Sequence, residues 1–232
     1  MYHRILLKLS GEALQGDGRL FDENTIAGLV AQIKVLLSEG VQISLVIGGG
    51  NLWRGRSAAP GMDRVKADQI GMLATVMNAM FFADALRQDG VEAVVQTPFP
   101  VGTMTELFSK EAALAHWEAG KVLIFAGGLG HPFFSTDTIC ALRASELDMD
   151  GLFFAKFVDG VYDSDPALNP DAKKHDTIPC ADLLGKNLRV IDLTAASLCL
   201  DQKLPVVIFG LREENSLVRA VHGEKIGTLV TV

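Results

Sequence analysis

Short, nearly continuous apolar runs alternate with longer stretches of helical periodicity along almost the whole chain. Runs such as Val41 to Ile47 and Val122 to Ala126 have the unbroken apolar character of strands that are buried on both faces. The stretches between them carry apolar residues three and four positions apart, as in Ile26, Leu29 and Ile33. This alternation predicts an α/β fold with a mostly parallel sheet that helices cover on both faces.

The same patterns assign the individual elements. Strands are predicted at Arg4 to Leu9, Val41 to Ile47, Val91 to Val95, Val122 to Ala126, Leu152 to Phe157, Val206 to Phe209 and Thr228 to Val232. Helices are predicted from an Asp22 cap to Gly40, from Asp68 to near Gly90, from Ser109 to Glu118, from the Ser135 region to Leu147, from Asp192 to Asp201 and from Ser216 to His222. A loop is predicted at Pro60-Gly61, and a polar loop from Tyr162 to about Asp176.

Two glycine-rich loops follow predicted strands. Gly48-Gly49-Gly50 comes directly after Ile47, and Arg54 follows four residues later. Without Cβ atoms the backbone can approach a ligand closely, and its N–H groups can form a concave anion site. The alternative is a tight strand–helix turn in which the glycines serve only geometry. The second loop, residues 127–130, reads Gly-Gly-Leu-Gly, and neither loop completes a P-loop or a G-x-G-x-x-G dinucleotide motif.

Phosphoryl transfer is the chemistry that these loops favour, because the carboxyl ends of parallel strands meet at one edge of the sheet. Such a reaction needs positioning and positive charge around the moving group. Lys8, at a strand end before Ser10-Gly11, is the best candidate cation. Ser135, Thr136 and Asp137 stand where a helix begins, so their N–H groups and hydroxyls could hold a second phosphate. An ordinary helix cap remains the alternative for Ser135 and Thr136.

Composition narrows the classes of protein to which the chain can belong. The 232 residues are 49% hydrophobic, enough for a sizeable core, and the net charge of −7 argues against general nucleic-acid or acidic-membrane binding. Three scattered cysteines without a CxxC pair fit a reduced, cytosolic compartment. No apolar run looks long enough for a signal peptide or a membrane span. The histidines are scattered, so no metal-ligand cluster is predicted, and Asp163 and Asp165 could be simple solvated loop residues.

Several motifs together resemble one family. They are Lys8-Leu9-Ser10-Gly11-Glu12-Ala13-Leu14, Val46 to Asn51 with Arg54-Gly55, Gly71-Met72-Leu73-Ala74-Thr75-Val76-Met77-Asn78, Pro132-Phe133-Phe134 with Thr136-Asp137-Thr138, Val158-Asp159-Gly160-Val161-Tyr162 with Asp165-Pro166, Lys203-Leu204-Pro205, and Gly223-Glu224 with Gly227-Thr228. In this order they resemble the bacterial uridylate (UMP) kinases of the amino acid kinase superfamily over nearly the whole chain.

The resemblance implies transfer of the γ-phosphoryl group of ATP to UMP, with Mg²⁺ bound to the nucleotide, in pyrimidine nucleotide biosynthesis. It implies a three-layer α/β/α sandwich, a homohexamer, activation by GTP and inhibition by UTP. One amino acid kinase domain would span residues 1–232, with an acceptor lobe at about 1–150 and an ATP lobe at 151–232. The segment from Gly16 to about Leu20 matches a loop tied to GTP activation, but it is one residue shorter here.

The resemblance also implies roles for individual residues. The residues implied to be catalytic are Lys8, Arg54 and Asp137. Those implied to bind ATP are Lys8, Leu9, Ser10, Gly11, Gly50, Arg54, Lys156, Tyr162 and Asp165. Those implied to bind UMP are Gly49, Asp68, Leu129, Gly130, His131, Pro132, Phe133, Phe134, Ser135 and Thr136.

Four positions depart from the family pattern. Leu129 stands in place of a threonine, His131 of an asparagine, Ser135 of a threonine and Lys156 of a small polar residue. Two alternatives stay open: a nucleotide-binding regulator with weak catalysis, which Leu129 and Lys156 suggest, and a superfamily member acting on a carboxylate or carbamate. The segment around Asp68 argues against the second.

Overall fold

The protein was analysed as a computed structural model that describes residues 2–16, 18–54, 61–185, 188 and 190–232. A nine-stranded sheet runs through it in the order β4-β3-β5-β2-β1-β6-β10-β11-β9. Every pairing in this sheet is parallel except that of β10 with β11. Three residues that belong to segments named in the sequence analysis lie outside the described residues: Asp17 of the Gly16 to Leu20 segment, Gly55 and Pro60.

The bounds of the elements are as follows. The strands are β1 Arg4–Leu9, β2 Gln42–Ile47, β3 Ala93–Thr97, β4 Glu106–Leu107, β5 Val122–Phe125, β6 Gly151–Lys156, β7 Val161–Tyr162, β8 Lys174–His175, β9 Thr177–Pro179, β10 Val206–Gly210 and β11 Thr228–Thr231. The helices are α1 Glu23–Ser38, α2 Arg64–Gln88, α3 Lys110–Glu118, α4 Thr136–Glu146, α5 Cys180–Gly185, α6 Leu193–Asp201 and α7 Ser216–Val221, with a 3₁₀ turn at Gly11–Leu14.

Two apolar cores lie on opposite faces of the sheet. Alternate residues of β1 point to opposite sides, so Ile5 and Leu7 join one core and Leu6 joins the other. The first core contains the buried faces of α1, α2 and α7, and the second contains those of α3, α4, α5 and α6. The three-layer α/β/α sandwich and the mostly parallel sheet are therefore confirmed.

The strongly periodic elements form where the sequence predicts them, and the exceptions have local causes. Asp68 does not open α2: the helix begins at Arg64, and the Asp63 carboxylate caps it by accepting the Lys66 N–H at 3.0 Å. The third strand begins two residues later than Val91. The polar stretch after Tyr162 contains the β7–β8 hairpin, which was not predicted because two-residue strands carry too little periodicity to detect.

Helix α2 is also long and apolar enough, by length and composition, to cross a membrane, so the expectation that no stretch reaches that length was wrong. Half of its most apolar window is buried inside the protein. A core helix passes the same test, because a helix packed on a sheet must itself be apolar on its buried face. Its outer side carries a row of exposed apolar residues, among them Leu73 and Met77.

Candidate active site

Three strand ends converge at one edge of the sheet. Strand β1 lies between β2 and β6, and the strand order reverses at β1: β2 to β5 lie on one side of it, and β6, β10 and β11 lie on the other. Ligands of open parallel sheets bind at the carboxyl ends of strands beside such a reversal. Lys8 lies near the end of β1 and Ser10 follows that strand. The glycine run follows β2, and Lys156 is the last residue of β6.

Lys8 forms an ion pair with the first turn of α4. Its Nζ lies 2.9 Å from Oδ1 of Asp137, and the two side chains are 12% and 13% exposed. Burial works to lower the pKa of Lys8, but Asp137 outweighs it and the pKa is raised. Burial likewise works to raise the pKa of Asp137, while Lys8 and Lys156 bring it below its ordinary value. Both groups are thus held in their charged forms.

Lys156 adds a second cation at the same place. Burial, opposed by Asp137 and assisted by Lys8, lowers the pKa of Lys156. Its Nζ donates a hydrogen bond to the Val190 carbonyl. The Nζ atoms of Lys156 and Lys8 lie 5.5 and 5.9 Å from the centre of the same Phe154 ring. Two ammonium groups therefore flank one buried carboxylate.

A cavity of about 600 Å³ opens beside these cations. It reaches from Lys8 and Ser10 along the end of β6 to the β7–β8 hairpin and the segment before α6. The Ser10 hydroxyl is buried and has no hydrogen-bond partner among the described residues, so it is available to a ligand. Of the residues expected to bind ATP, Lys8, Ser10, Lys156, Tyr162 and Asp165 line this cavity.

A smaller cavity of about 150 Å³ lies on the other side of Asp137. Gly49, Asp68, His131, Phe134, Ser135 and Thr136 line it, all of them expected to bind UMP. Trp53 and Thr75 line it too, although sequence reasoning did not single them out. The Trp53 indole donates to the Ala67 carbonyl at 2.8 Å, which holds the ring against α2.

The Lys8–Asp137 pair connects the linings of the two cavities at the start of α4. Thr136 lines the smaller cavity, and the adjacent Asp137 binds Lys8, which lines the larger one. The remaining expected contacts, namely Leu9, Gly11, Gly50, Arg54, Leu129, Gly130, Pro132 and Phe133, are not part of either lining among the described residues.

Close packing explains the glycines between β1 and β2. A Cβ on Gly49 would lie 2.8 Å from the Ala74 Cβ, and one on Gly11 would meet Asn51 and the Gly48 carbonyl. The Asn78 amide, completely buried, donates to the Gly48 carbonyl at 2.6 Å. The glycine run thus lets two loops and α2 come together, which supports both interpretations left open by the sequence.

Arg54 is held by a carboxylate. Its guanidinium forms an ion pair with Glu12, which lines the larger cavity, and 61% of the Arg54 side chain is exposed. Exposed ion pairs contribute only about 0–1 kcal/mol.

Asp192, which sequence reasoning treated only as the start of a helix, organises the acceptor side. Its carboxylate accepts from Ser135 Oγ at 2.5 Å, Thr138 Oγ1 at 3.0 Å and the Ala195 N–H at 2.9 Å. It therefore caps α6 and fixes the first turn of α4 at the same time. No local signal could reveal this role, because 54 positions separate Thr138 from Asp192.

Comparison with known proteins agrees with this geometry. The family model described as the amino acid kinase family matches residues 3–210. The chain belongs to the amino acid kinase family. Its fold is that of the structure of UMP kinase from Bacillus anthracis, with a TM-score of 0.95 and 36% identity over 99% of this chain and 96% of that one.

Two further amino acid kinase structures are similar. UMP kinase from Ureaplasma parvum has a TM-score of 0.94 and 34% identity, with 100% of both chains covered. Uridylate kinase from Archaeoglobus fulgidus has a TM-score of 0.76 and 28% identity, covering 98% of this chain and 99% of that one. The resemblance to bacterial UMP kinases drawn from the motifs is confirmed.

Proposed function

We propose that this protein is a UMP kinase that transfers the γ-phosphoryl group of ATP to UMP, giving UDP and ADP. The observation that carries the proposal is the buried Lys8–Asp137 pair, which connects the linings of two cavities, in a chain similar over its full length to UMP kinases. Phosphoryl transfer requires two bound substrates in line and positive charge at the moving group.

On the donor side, ATP occupies the larger cavity. Lys8, Lys156 and the Ser10 hydroxyl face the phosphates, and the adenosine lies toward Tyr162 and Asp165. Lys8 neutralises the charge that develops on the transferred group, and its burial strengthens this interaction. Leu9, Gly11 and Gly50 contribute through backbone positions around the phosphates, and Arg54 moves from Glu12 to the phosphates when ATP binds.

On the acceptor side, UMP occupies the smaller cavity. Gly49, His131, Phe134, Ser135 and Thr136 surround it, and Asp68 accepts from its sugar hydroxyls. Leu129, Gly130, Pro132 and Phe133 complete the loop around the nucleotide. The α4 N-terminus, whose first residue Thr136 lines this cavity, suits the UMP phosphate.

Asp137 keeps Lys8 charged and in place during the transfer. The donor cavity draws most of its lining from residues 155–190 and the acceptor cavity from residues 49–136. This supports an acceptor lobe at about 1–150 and an ATP lobe at 151–232 within a single domain.

Mg²⁺ enters with ATP, held mainly by the phosphates. No group of three or more potential metal-ligating side chains occurs among the described residues, which suits an ion brought by its nucleotide. When bound, the ion neutralises phosphate charge and orients the γ-phosphoryl group.

The protein acts as a homo-oligomer, a hexamer on the family pattern, in the cytoplasm. The exposed apolar row on α2, including Ile70, Leu73, Met77 and Phe81, supports burial of this face against a second copy. Activation by GTP, inhibition by UTP and a place in pyrimidine nucleotide synthesis follow the same family pattern. Neither nucleic acid nor membrane is a partner.

A coupled assay of ADP release tests the proposal with UMP, CMP, dTMP, acetylglutamate and carbamate as acceptors. We expect turnover with UMP and little with the others. Turnover with acetylglutamate or carbamate would replace the proposal with another amino acid kinase activity. Binding of UMP and ATP without turnover would instead support a nucleotide-binding regulator, the alternative that Leu129 and Lys156 keep open.

A further inference from the structure

The loop that precedes α4 is tied to helix α2 by a single carboxylate. Asp68 Oδ2 accepts a hydrogen bond from the Phe133 backbone N–H at 2.8 Å. Its other oxygen, Oδ1, lies 2.9 Å from Nε of Arg64, one turn earlier on α2. The Asp68 side chain is 15% exposed, while Arg64 and Phe133 on either side of it are exposed to solvent. Residues 129–135 are called the acceptor loop below.

Phe133 has a backbone conformation that needs such a tie. Its φ is +73°, in the left-handed region that a residue with a Cβ rarely adopts. The ring is 67% exposed, so burial of the side chain does not compensate for the strain. Strained conformations of this kind persist only when surrounding contacts hold them. Asp68 supplies the backbone contact at the strained residue itself.

Arg64 contributes to the same arrangement from the other side. Besides its ion pair with Asp68, its guanidinium lies 5.9 Å from the centre of the Phe133 ring. Arg64 thus contacts both the carboxylate and the ring of the residue that the carboxylate holds. At the far end of the loop, Asp192 accepts from Ser135 Oγ, so carboxylates fix the loop at two points.

We propose that Asp68 is a positioning residue that holds Phe133 in its left-handed conformation, and so fixes the acceptor loop, before any acceptor binds, with Arg64 orienting the carboxylate. The inference rests on the proposed function in that this loop forms a wall of the acceptor cavity. Asp68 can still accept from a sugar hydroxyl, because each carboxylate oxygen has two lone pairs and its protein contacts use one on each. The effect of Asp68 on UMP binding then comes partly from the loop.

Hydrogen exchange without any nucleotide tests the tie directly. In the wild type we expect slow exchange of the Phe133 amide. Asp68→Ala should accelerate it at least tenfold, and Asp68→Asn less, because the asparagine carbonyl can still accept. Arg64→Gln should give an intermediate acceleration. The matched control is Asp84→Ala, an exposed carboxylate on the same helix, which should leave the rate unchanged. An unchanged rate in Asp68→Ala would overturn the proposal.

A double-mutant cycle with Phe133→Gly separates positioning from direct contact. Glycine adopts positive φ without strain, so the loop depends less on Asp68 in that background. We expect the rise in the UMP KM caused by Asp68→Ala to be at least threefold smaller when residue 133 is glycine. Independent, multiplicative effects would show that Asp68 acts only by touching UMP. Asn215→Gly, which replaces another residue of positive φ away from both cavities, should show no such coupling.

A failure of the proposed kinase activity and a failure of the proposed role of Asp68 can be told apart. Absence of UMP turnover in the wild type would overturn the proposed kinase activity, whereas the exchange rate of the Phe133 amide is measured without substrate and still decides the role of Asp68.

Discussion

Lys8 and Asp137 form a buried ion pair in which Nζ lies 2.9 Å from Oδ1, and it joins the central strand to the first turn of α4. Removing one partner of such a pair leaves an uncompensated buried charge and costs about 3–5 kcal/mol. The pair is therefore costly to disrupt, and it connects the linings of the two cavities. A phosphoryl group would give Lys8 a second anionic partner.

Lys8→Met should lower turnover by more than about tenfold, a loss of at least roughly 1.4 kcal/mol of transition-state stabilisation. The reason is the loss of an ammonium group that lines the larger cavity and pairs with Asp137 at the start of α4. Steady-state kinetics with UMP and ATP measure the effect, with thermal unfolding to confirm that the variant is folded. Lys34→Met, which removes an exposed ammonium group on α1, is the control and should match the wild type. Unchanged turnover in Lys8→Met would remove Lys8 from catalysis.

The pH dependence of stability should carry the signature of the same pair. The pKa of Asp137 is below its ordinary value of 3.8, so the pair contributes stability above pH 3.8 that is lost as the pH falls through the lowered pKa. The pKa of Lys8 is above 10.5, so its contribution is complete below pH 10.5 and is lost as the pH rises through the raised pKa.

Urea unfolding across the pH range measures this dependence. We expect the stability difference between the wild type and Asp137→Asn to be largest on the plateau between the two limits and to shrink at both ends. Asp171→Asn, in an exposed loop, should not alter the profile. A difference that stays constant with pH would contradict the assignment of the shifted groups.

Lys156→Met should weaken the binding of ATP and ADP while leaving the binding of adenosine nearly unchanged. In the proposed ATP complex the Lys156 ammonium group faces the phosphates, so only ligands with phosphates lose its charge. Isothermal titration calorimetry with the three ligands measures the difference, and Lys156→Arg should recover part of it. Equal weakening for adenosine would show that Lys156 only supports the Val190 segment through its hydrogen bond.

Gly11→Ala and Gly28→Ala should change stability in opposite directions. A methyl group on Gly11 would meet Asn51, the Gly48 carbonyl and Gly50, and such overpacking costs about 1–3 kcal/mol. Gly28 lies inside α1 with open space around its Cβ direction, so alanine should stabilise the protein by about 0.5–1 kcal/mol. Chemical denaturation of both variants measures these changes. Stabilisation by Gly11→Ala would mean that the two loops do not pack as closely as described.

Met77→Asp should dissociate the oligomer. Met77 is 56% exposed in the middle of the apolar row on α2, and a carboxylate there would be desolvated without a partner in any interface. Sedimentation velocity should show a smaller species than the wild type. Gln202→Glu, an added charge at the exposed end of α6, is the control. An unchanged sedimentation coefficient would place the interface elsewhere.

Local sequence patterns were sufficient to predict the long helices and strands and many of the residues that line the two cavities. The strand at Arg4–Leu9 and the Asp22 cap of α1 were predicted where they form, because periodicity and capping act within a few residues. The two-residue strands and α5 were not predicted, because short elements depend on partners that are distant in the chain.

The amino-acid order alone thus established the α/β class, the glycine loops at strand ends and the family resemblance, since each depends on residue types at short spacings. Only the folded chain decided which charges meet. It pairs Lys8 with Asp137, commits Asp68 to the Phe133 amide and Asp192 to Ser135, and sets Arg54 against Glu12. These contacts join segments far apart in sequence, so they follow from how strands and helices pack and not from any pattern within one segment.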